Sequence, residues 1–417
     1  MGVEKSVLDN GVTVVTEHMP GLRSAALGFW VLTGSVDEES GQEGLSHFME
    51  HMLFKGTPSR SAIEISMAFD GLGAELNAFT AKEHTCFYAR MVDKNLPACF
   101  EILSDMLVNS SFGEHDVELE REVVLEELTS SEDMPDDYVF ELYGSALFPD
   151  SPLGCPVLGK HETVSAFTSE DLKRYHEKNY VAGNVVVVAC GNVDHNQIVA
   201  LAAKHLTGLP AGSKRKRPLF AASGSQRLAV AQRDGEQAHI VMGCHAFGSN
   251  APQRFAWQIV DSALGGTMSS RLFNEVREKR GLVYSIYSDS HLFGGVGQFE
   301  IYAATRPDNI AQVVEVICAE LCAMAAHGLD ASEFGRVREM VCGTYVLSME
   351  SPYNHMVRLG KMACNGVELA SVDSTLEAYR ALTLEEVNDA AQRLLTQELT
   401  VAVISPFDKG KIERMVV

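Results

Sequence analysis

The sequence predicts an α+β protein of two homologous domains, each a mostly antiparallel sheet packed with helices. The first observation behind this is an internal repeat. Asp93-Lys94-Asn95-Leu96 returns as Pro307-Asp308-Asn309-Ile310, Arg121-Glu122-Val123-Val124 as Arg338-Glu339-Met340-Val341, and Phe167-Thr168-Ser169-Glu170 as Leu382-Thr383-Leu384-Glu385, at offsets of 214, 217 and 215. Three matches at nearly one offset mark a duplicated unit. The second observation is a stretch at 207–225 rich in Gly, Pro and Ser, with four consecutive basic residues at Lys214–Arg217. It reads as a solvated linker. The third is length, because 417 residues suffice for two separate cores. The expected division is 1–210, a linker at 211–225, and 226–417.

The elements follow in order. Ser6–Glu17 reads as strand and turn, with Val7 and Leu8, then Asn10-Gly11, then Val12, Val14 and Val15. Ala25–Gly34 is a second apolar strand, followed by an acidic loop at Asp37–Ser40 and a helix around His47–His51. Ile63–Leu72 has helical spacing and ends among Gly71 and Gly73. Glu75–Tyr88 alternates as a strand or hairpin, and long helices are expected over 95–110 and 115–132. Val185–Cys190 is a short buried strand. Phe167–Glu170 and its copy Leu382–Glu385 each lead into a helix and then a β-branched strand.

The chemistry begins at His47-Phe48-Met49-Glu50-His51. Two histidines four apart on a helix lie about 40° apart around its axis, so both imidazoles leave one face. That is half of a site for a divalent metal, most often zinc. Glu50, one residue before the second histidine, is placed to act on water at the metal as general base. The order H-x-x-E-H inverts the commoner zinc helix pattern. A plain amphipathic helix with two surface histidines would carry the same five letters.

A catalytic zinc site has three protein ligands and one open position. The third ligand is sought in 114–137, which holds eleven acidic residues against one basic, Arg121. With Glu120 at 0° on a helical wheel, Glu127 falls at about −20°, amid Val117, Val123, Val124 and Leu128. Carboxylates on an apolar face need a partner or a metal. Pairing with buried Arg or Lys would also satisfy them, and periodicity does not choose between Glu120 and Glu127.

Gly44-Leu45-Ser46-His47-Phe48-Met49-Glu50-His51-Met52-Leu53-Phe54-Lys55-Gly56-Thr57 resembles the active-site helix of the pitrilysin/insulinase metallopeptidases, most closely their processing-peptidase branch. The resemblance runs over essentially the whole chain. It implies Glu127 as the third ligand, Glu120 as a supporting carboxylate, and one zinc per chain. It further implies that Leu76-Asn77-Ala78-Phe79-Thr80 is an edge strand to which an extended peptide adds, with Asn77, Ala78 and Phe79 contacting it. An asparagine at a strand end, serving only a turn, is the plainer account of Asn77.

In the second copy the metal residues are gone. Val337 and Thr344 stand opposite Glu120 and Glu127, and Trp257, Val260 and Asp261 opposite His47, Glu50 and His51. The copy does hold Met268–Tyr284, which resembles the family's C-terminal signature and implies that Arg277 and Tyr284 stabilise the oxyanion of the transition state. Without the resemblance this would be a basic helix surface closed by Gly281. Gly294-Gly295-Val296-Gly297 reads as a turn only.

Composition bounds the partners. The net charge of −22 speaks against nucleic acid or anionic membrane. Residues 1–210 carry 13 basic and 33 acidic side chains, residues 211–417 carry 21 and 23, so the metal motif lies in the acidic half. No apolar run is expected to reach the ~20 residues of a membrane span. Nine cysteines without CxxC pairs suit a reducing compartment. With no secretory or transit pattern at the start, the expectation is a cytoplasmic, bacterial enzyme. The implied activity is a zinc endopeptidase acting on extended or unfolded peptides, and the resemblance implies a homodimer, or a heterodimer with a related subunit. The rivals are a noncatalytic assembly subunit, which would lack some of these metal-helix residues, and a hydrolase acting on something other than peptide.

Overall fold

A computed structural model describes residues 2–222 and 224–416. Eleven strands occur among them: β1 (Val3–Val7), β2 (Thr13–His18), β3 (Ser24–Val31), β4 (Glu75–Thr80), β5 (Thr85–Val92), β6 (Val185–Gly191), β7 (Leu228–Gln232), β8 (Ala238–Phe247), β9 (Val283–Leu292), β10 (Val296–Thr305) and β11 (Thr400–Ser405). They form two sheets, ordered β1-β2-β6-β3-β5-β4 and β7-β11-β8-β10-β9. With β1 set aside, the two orders correspond strand for strand. Each sheet has one parallel pair, β2 with β6 and β7 with β11, and the remaining pairs are antiparallel. The duplication read from three short matches is therefore a duplication of topology. The glycine-rich stretch at 294–297 falls at the hairpin between β9 and β10, where Phe293 N–H donates to Val296 O.

The centre of the first sheet is buried on both faces, which explains why β3 and β6 read as unbroken apolar runs. Leu27, Phe29, Val31, Val187 and Ala189 point to the side of the helices Leu45–Leu53 and Leu96–Asn109. Ala26, Trp30, Val186, Val188 and Cys190 point to the other, against Met356 and Leu359. Those two belong to the helix Pro352–Cys364, which approaches closely because of two glycines. A Cβ on Gly28 would lie 2.4 Å from Met356 Sδ, and one on Gly360 would lie 2.0 Å from the Trp30 ring. Glu17, buried on β2, anchors the same helix: its Oε2 accepts from His355 Nδ1 at 2.6 Å and Arg358 Nη2 at 3.0 Å. Burial works to raise the Glu17 pKa, and its bonds to His355 and Arg358 lower it further than burial raises it.

The chain crosses between two compact units at Arg217 and Pro218, inside the expected linker at 211–225, but neither unit is the continuous stretch that 1–210 and 226–417 describe. One compact unit comprises Met1–Thr129, Cys155–Arg217 and Ser348–Val372, the other Ser130–Gly154, Pro218–Leu347 and Asp373–Val417. A sheet apolar on both faces needs two helical layers, and each unit takes part of one layer from the opposite half of the chain. In the second unit that part is the helix Pro135–Leu147, packed on β7, β8 and β11, with Tyr143 donating to Phe299 O at 2.6 Å. The opposite face carries Ile240, Met242, Phe299 and Ile301 against Trp257, Val313 and Ile317.

Two further expectations are corrected. The basic run at 214–217 is not a solvated linker. Arg215 and Arg217 both bond Asp37, and Arg217 also donates to Leu32 O and Glu83 O, so the segment is strapped to the first unit. Among the described residues one helix, Pro307–His327, is long and apolar enough to cross a membrane by length and composition. Its Ile310, Val313, Val314, Ile317, Leu321 and Met324 are buried in the core of the second unit, which accounts for the apolar content.

Candidate metal centre

The helix Leu45–Leu53 sinks Leu45, Phe48, Met49, Met52 and Leu53 into the first core. Helical periodicity then turns His47, Glu50 and His51 to the remaining side. The second contributor, the helix Glu114–Asp133, buries Val117, Glu120, Val124 and Leu128. This stripe is narrower than the sequence implies: Val123 is exposed, and Glu127 sits at its rim with its side chain 45% accessible. Glu120 is buried inside the stripe, so the two glutamates that periodicity could not separate have different environments.

His47, His51 and Glu127 bring one donor atom each to within 4.8 Å of one another. His51 Nε2 lies 3.4 Å from Glu127 Oε2, and His47 Nε2 lies 3.8 Å from Glu127 Oε1. Tetrahedral zinc with bonds of about 2.0–2.1 Å requires donor separations of about 3.3–3.4 Å, which the His51–Glu127 pair already has, while the set as a whole, within 4.8 Å, would draw closer around the ion. The set has no fourth His, Cys, Asp or Glu among the described residues, and Glu127 closes it from the accessible side. His51 Nδ1 meets Glu120 Oε1 at 2.7 Å, which fixes the tautomer that turns Nε2 toward the other donors. Glu120 in turn pairs through Oε2 with the Lys55 ammonium.

Comparison with known proteins decides the lineage. The insulinase (peptidase family M16) profile matches residues 13–161, and the peptidase M16 inactive domain profile matches residues 166–341. An uncharacterized zinc protease of Mycobacterium tuberculosis is 40% identical over 406 residues, spanning 96% of this chain and 93% of its own. The chain belongs to the insulinase family, peptidase family M16. The uncharacterized zinc protease YmxG of Bacillus subtilis is 34% identical over 412 residues, 97% of this chain and 98% of its own. Among solved structures, a peptidase M16 inactive domain from Pseudomonas fluorescens matches with a TM-score of 0.92 at 20% identity, covering 98% of both chains. A protease from Helicobacter pylori matches with a TM-score of 0.89 at 19% identity, covering 97% of this chain and 99% of that one. Those two likenesses speak for the M16 fold.

The electrostatics of this M16 site are uneven. Burial pushes His47 down to about 4, with the neighbouring His51 adding to it. At His51 burial also acts downward, but the hydrogen bonds with Glu120 and Glu127 outweigh it and hold the imidazole up at about 9. Burial raises Glu50, while a hydrogen bond donated by Thr80 Oγ1 to its Oε2 at 2.6 Å works against the rise. Glu120 is lowered because His51 and Lys55 outweigh its burial, and Glu127 is lowered by its bond to His51.

The remaining predicted residues divide between the units. Asn77, Ala78 and Phe79 lie on β4, the edge of the first sheet, which among the described residues pairs with β5 alone. Asn77 Oδ1 accepts from the Ala78 amide at 2.8 Å, and Phe79 packs edge-on against Trp30 at 5.5 Å. Phe79 is therefore a packing residue through its ring, and only its main chain is left for another strand. Thr80 follows on the same strand and ties β4 to Glu50. Arg277 and Tyr284 lie in the second unit, the Arg277 guanidinium 5.5 Å from the centroid of the largely exposed Tyr284 ring and 4.8 Å from that of Phe273. The second unit's counterpart of the metal helix, Arg254–Leu264, buries Trp257, Val260 and Asp261, and Asp261 accepts from Ser288 and Ser290. Sequence reasoning missed Lys55 and Thr80. Lys55 stands in the resembling segment, and Thr80 directly follows Asn77-Ala78-Phe79, so position was the available signal.

Proposed function

We propose that the chain is a zinc-dependent endopeptidase of the processing-peptidase type that cleaves extended or unfolded peptides, holding one zinc per chain through His47, His51 and Glu127. The observation that carries this is the open three-donor set with Glu50 beside it. Zinc, when bound, supplies a Lewis acid and lowers the pKa of water there to about 7. Glu50 takes the attacking water's proton and delivers it to the leaving amine. Thr80 donates to Oε2, and the transfer is assigned to the other oxygen, Oε1. Glu120 holds His51 without being a ligand. The unpaired edge of β4 aligns an extended backbone, with Asn77 and Ala78 at the contact. Arg277 and Tyr284 are assigned to the oxyanion of the transition state. All nine cysteines are free, in keeping with a reducing compartment such as the bacterial cytoplasm. A homodimer, or pairing with a related subunit, completes the reading.

The test is cleavage of an unstructured peptide with and without a chelator. Cleavage that chelation stops and zinc restores is the expected result. No cleavage by zinc-loaded protein would favour the noncatalytic alternative, and cleavage indifferent to the chelator would remove the metal from the reaction. Arg277→Ala and Tyr284→Phe should each lower peptide turnover about tenfold or more while zinc content stays at the wild-type level. Turnover unchanged in both would withdraw their assignment.

A further inference from the structure

We infer that Glu38 is a positioning residue for the metal helix, supplying from six residues upstream the N-cap that the helix cannot carry itself. The inference rests on the zinc-peptidase reading above. A helix start leaves amide donors without partners, and a Ser, Thr, Asp or Asn at the N-cap normally accepts from one of them. Here the N-cap is Gly44, with φ of 95°. A Cβ there would lie 2.6 Å from Leu158 O and 2.9 Å from Gly159 Cα. Gly159, with φ of 84°, is equally constrained, since its own Cβ would lie 2.3 Å from Glu43 O. The two glycines pass in direct contact, and any local capping side chain is excluded.

Glu38 fills the vacant role with both oxygens. Its Oε2 accepts from the Gly44 amide at 3.0 Å and its Oε1 from the Ser46 amide at 2.7 Å. When ionised, the carboxylate also lies at the favourable end of the helix dipole. Ser46 directly precedes the ligand His47, and its hydroxyl is held in turn by Tyr175 Oη at 2.7 Å, which lies 3.4 Å from Thr33 Oγ1. Ser46 is thus fixed through its amide and through its side chain, and the direction of His47 and Glu50 follows from that.

The carboxylate is costly in this place. Burial pushes Glu38 up to about 7 in spite of the two amide bonds, and the nearby Glu43 adds to the rise. A neutral amide would avoid that cost, but its single oxygen could not serve both donors in the same way. The double acceptor is what a positioning role requires and a filler role does not.

The experiment compares wild-type protein, Glu38→Gln and Glu38→Ala by zinc competition with a chromogenic chelator and by steady-state peptide cleavage. Glu38→Gln is expected to stay folded, to bind zinc roughly fivefold more weakly and to lose kcat about tenfold at unchanged KM, with Glu38→Ala lower on both counts. Wild-type zinc affinity and kcat in a folded Glu38→Gln protein would overturn the assignment. If neither variant folds, hydrogen exchange at the Gly44 and Ser46 amides of the wild-type protein decides: protection supports the remote cap, and exchange as fast as in open chain refutes it. Wild-type protein that binds no zinc or cleaves nothing would instead sink the peptidase reading, and the exchange measurement would still judge the cap.

Discussion

Glu50→Gln is expected to leave zinc content and thermal stability at wild-type levels while lowering kcat by about a thousandfold. The substitution keeps the size of the side chain and an oxygen able to accept from Thr80 Oγ1, whose bond to Glu50 is 2.6 Å in the structure. It removes the capacity to take a proton, because an amide is not basic at working pH. Burial raises the pKa of Glu50, and the Thr80 bond limits the rise. That balance suits a group that must first accept a proton and then give it up. Zinc analysis beside steady-state cleavage separates this role from a structural one. Turnover within about tenfold of wild type would remove Glu50 from the proton transfer. Loss of zinc together with turnover would make it a support of the metal instead.

The gathering of the candidate donors His47, His51 and Glu127 was legible because these residues are local or chemically unusual. His47, Glu50 and His51 lie within five positions, so helical spacing alone gathers them. Glu120 and Glu127 stood out as acids near an apolar stripe, a costly arrangement that asks for a reason. The wheel could not separate them, because seven residues nearly complete two turns. What separates them is tertiary: Glu120 is enclosed between His51 and Lys55, whereas Glu127 reaches in from the exposed rim. The wheel also placed Val123 on the buried side, and the structure exposes it. A stripe drawn from apolar letters is wider than the contact it makes.

The fold was legible at the level of the repeat and less so at its boundaries. Local matches revealed two copies, and the strand order that the two sheets share once β1 is set aside carries the same statement into three dimensions. No local pattern could reveal that the helix Pro352–Cys364 belongs with the first sheet. That pairing depends on Gly28 meeting Met356, on Gly360 meeting Trp30, and on a buried Glu17 awaiting His355 and Arg358. Those contacts join residues more than three hundred positions apart. The basic run at Arg215 and Arg217 misled for a related reason, since its acceptor Asp37 lies far upstream. Charge clusters on a punctuated segment suggest solvent until their partners are known.

Metal content should rank the four candidate residues by role. His47→Ala, His51→Ala and Glu127→Gln each remove a donor from the three that lie within 4.8 Å of one another. A zinc ion with two protein donors keeps neither the geometry nor the charge balance of the site, so each loss should weaken binding by well over a hundredfold. Glu120→Gln is different. Its amide oxygen can still accept from His51 Nδ1, but the full negative charge that Lys55 and His51 now share is gone. Residues that support a metal ligand in this way typically contribute about 10–100-fold to affinity. The expected order by chelator competition is therefore wild type tightest, Glu120→Gln intermediate, and the three donor variants weakest. Cleavage should fall in the same order, and excess zinc should restore much of it for Glu120→Gln and little for the others. Equal losses at Glu120 and Glu127 would make the buried glutamate a ligand after all. Stoichiometric zinc in the double variant His47→Ala, His51→Ala would move the metal away from this helix altogether.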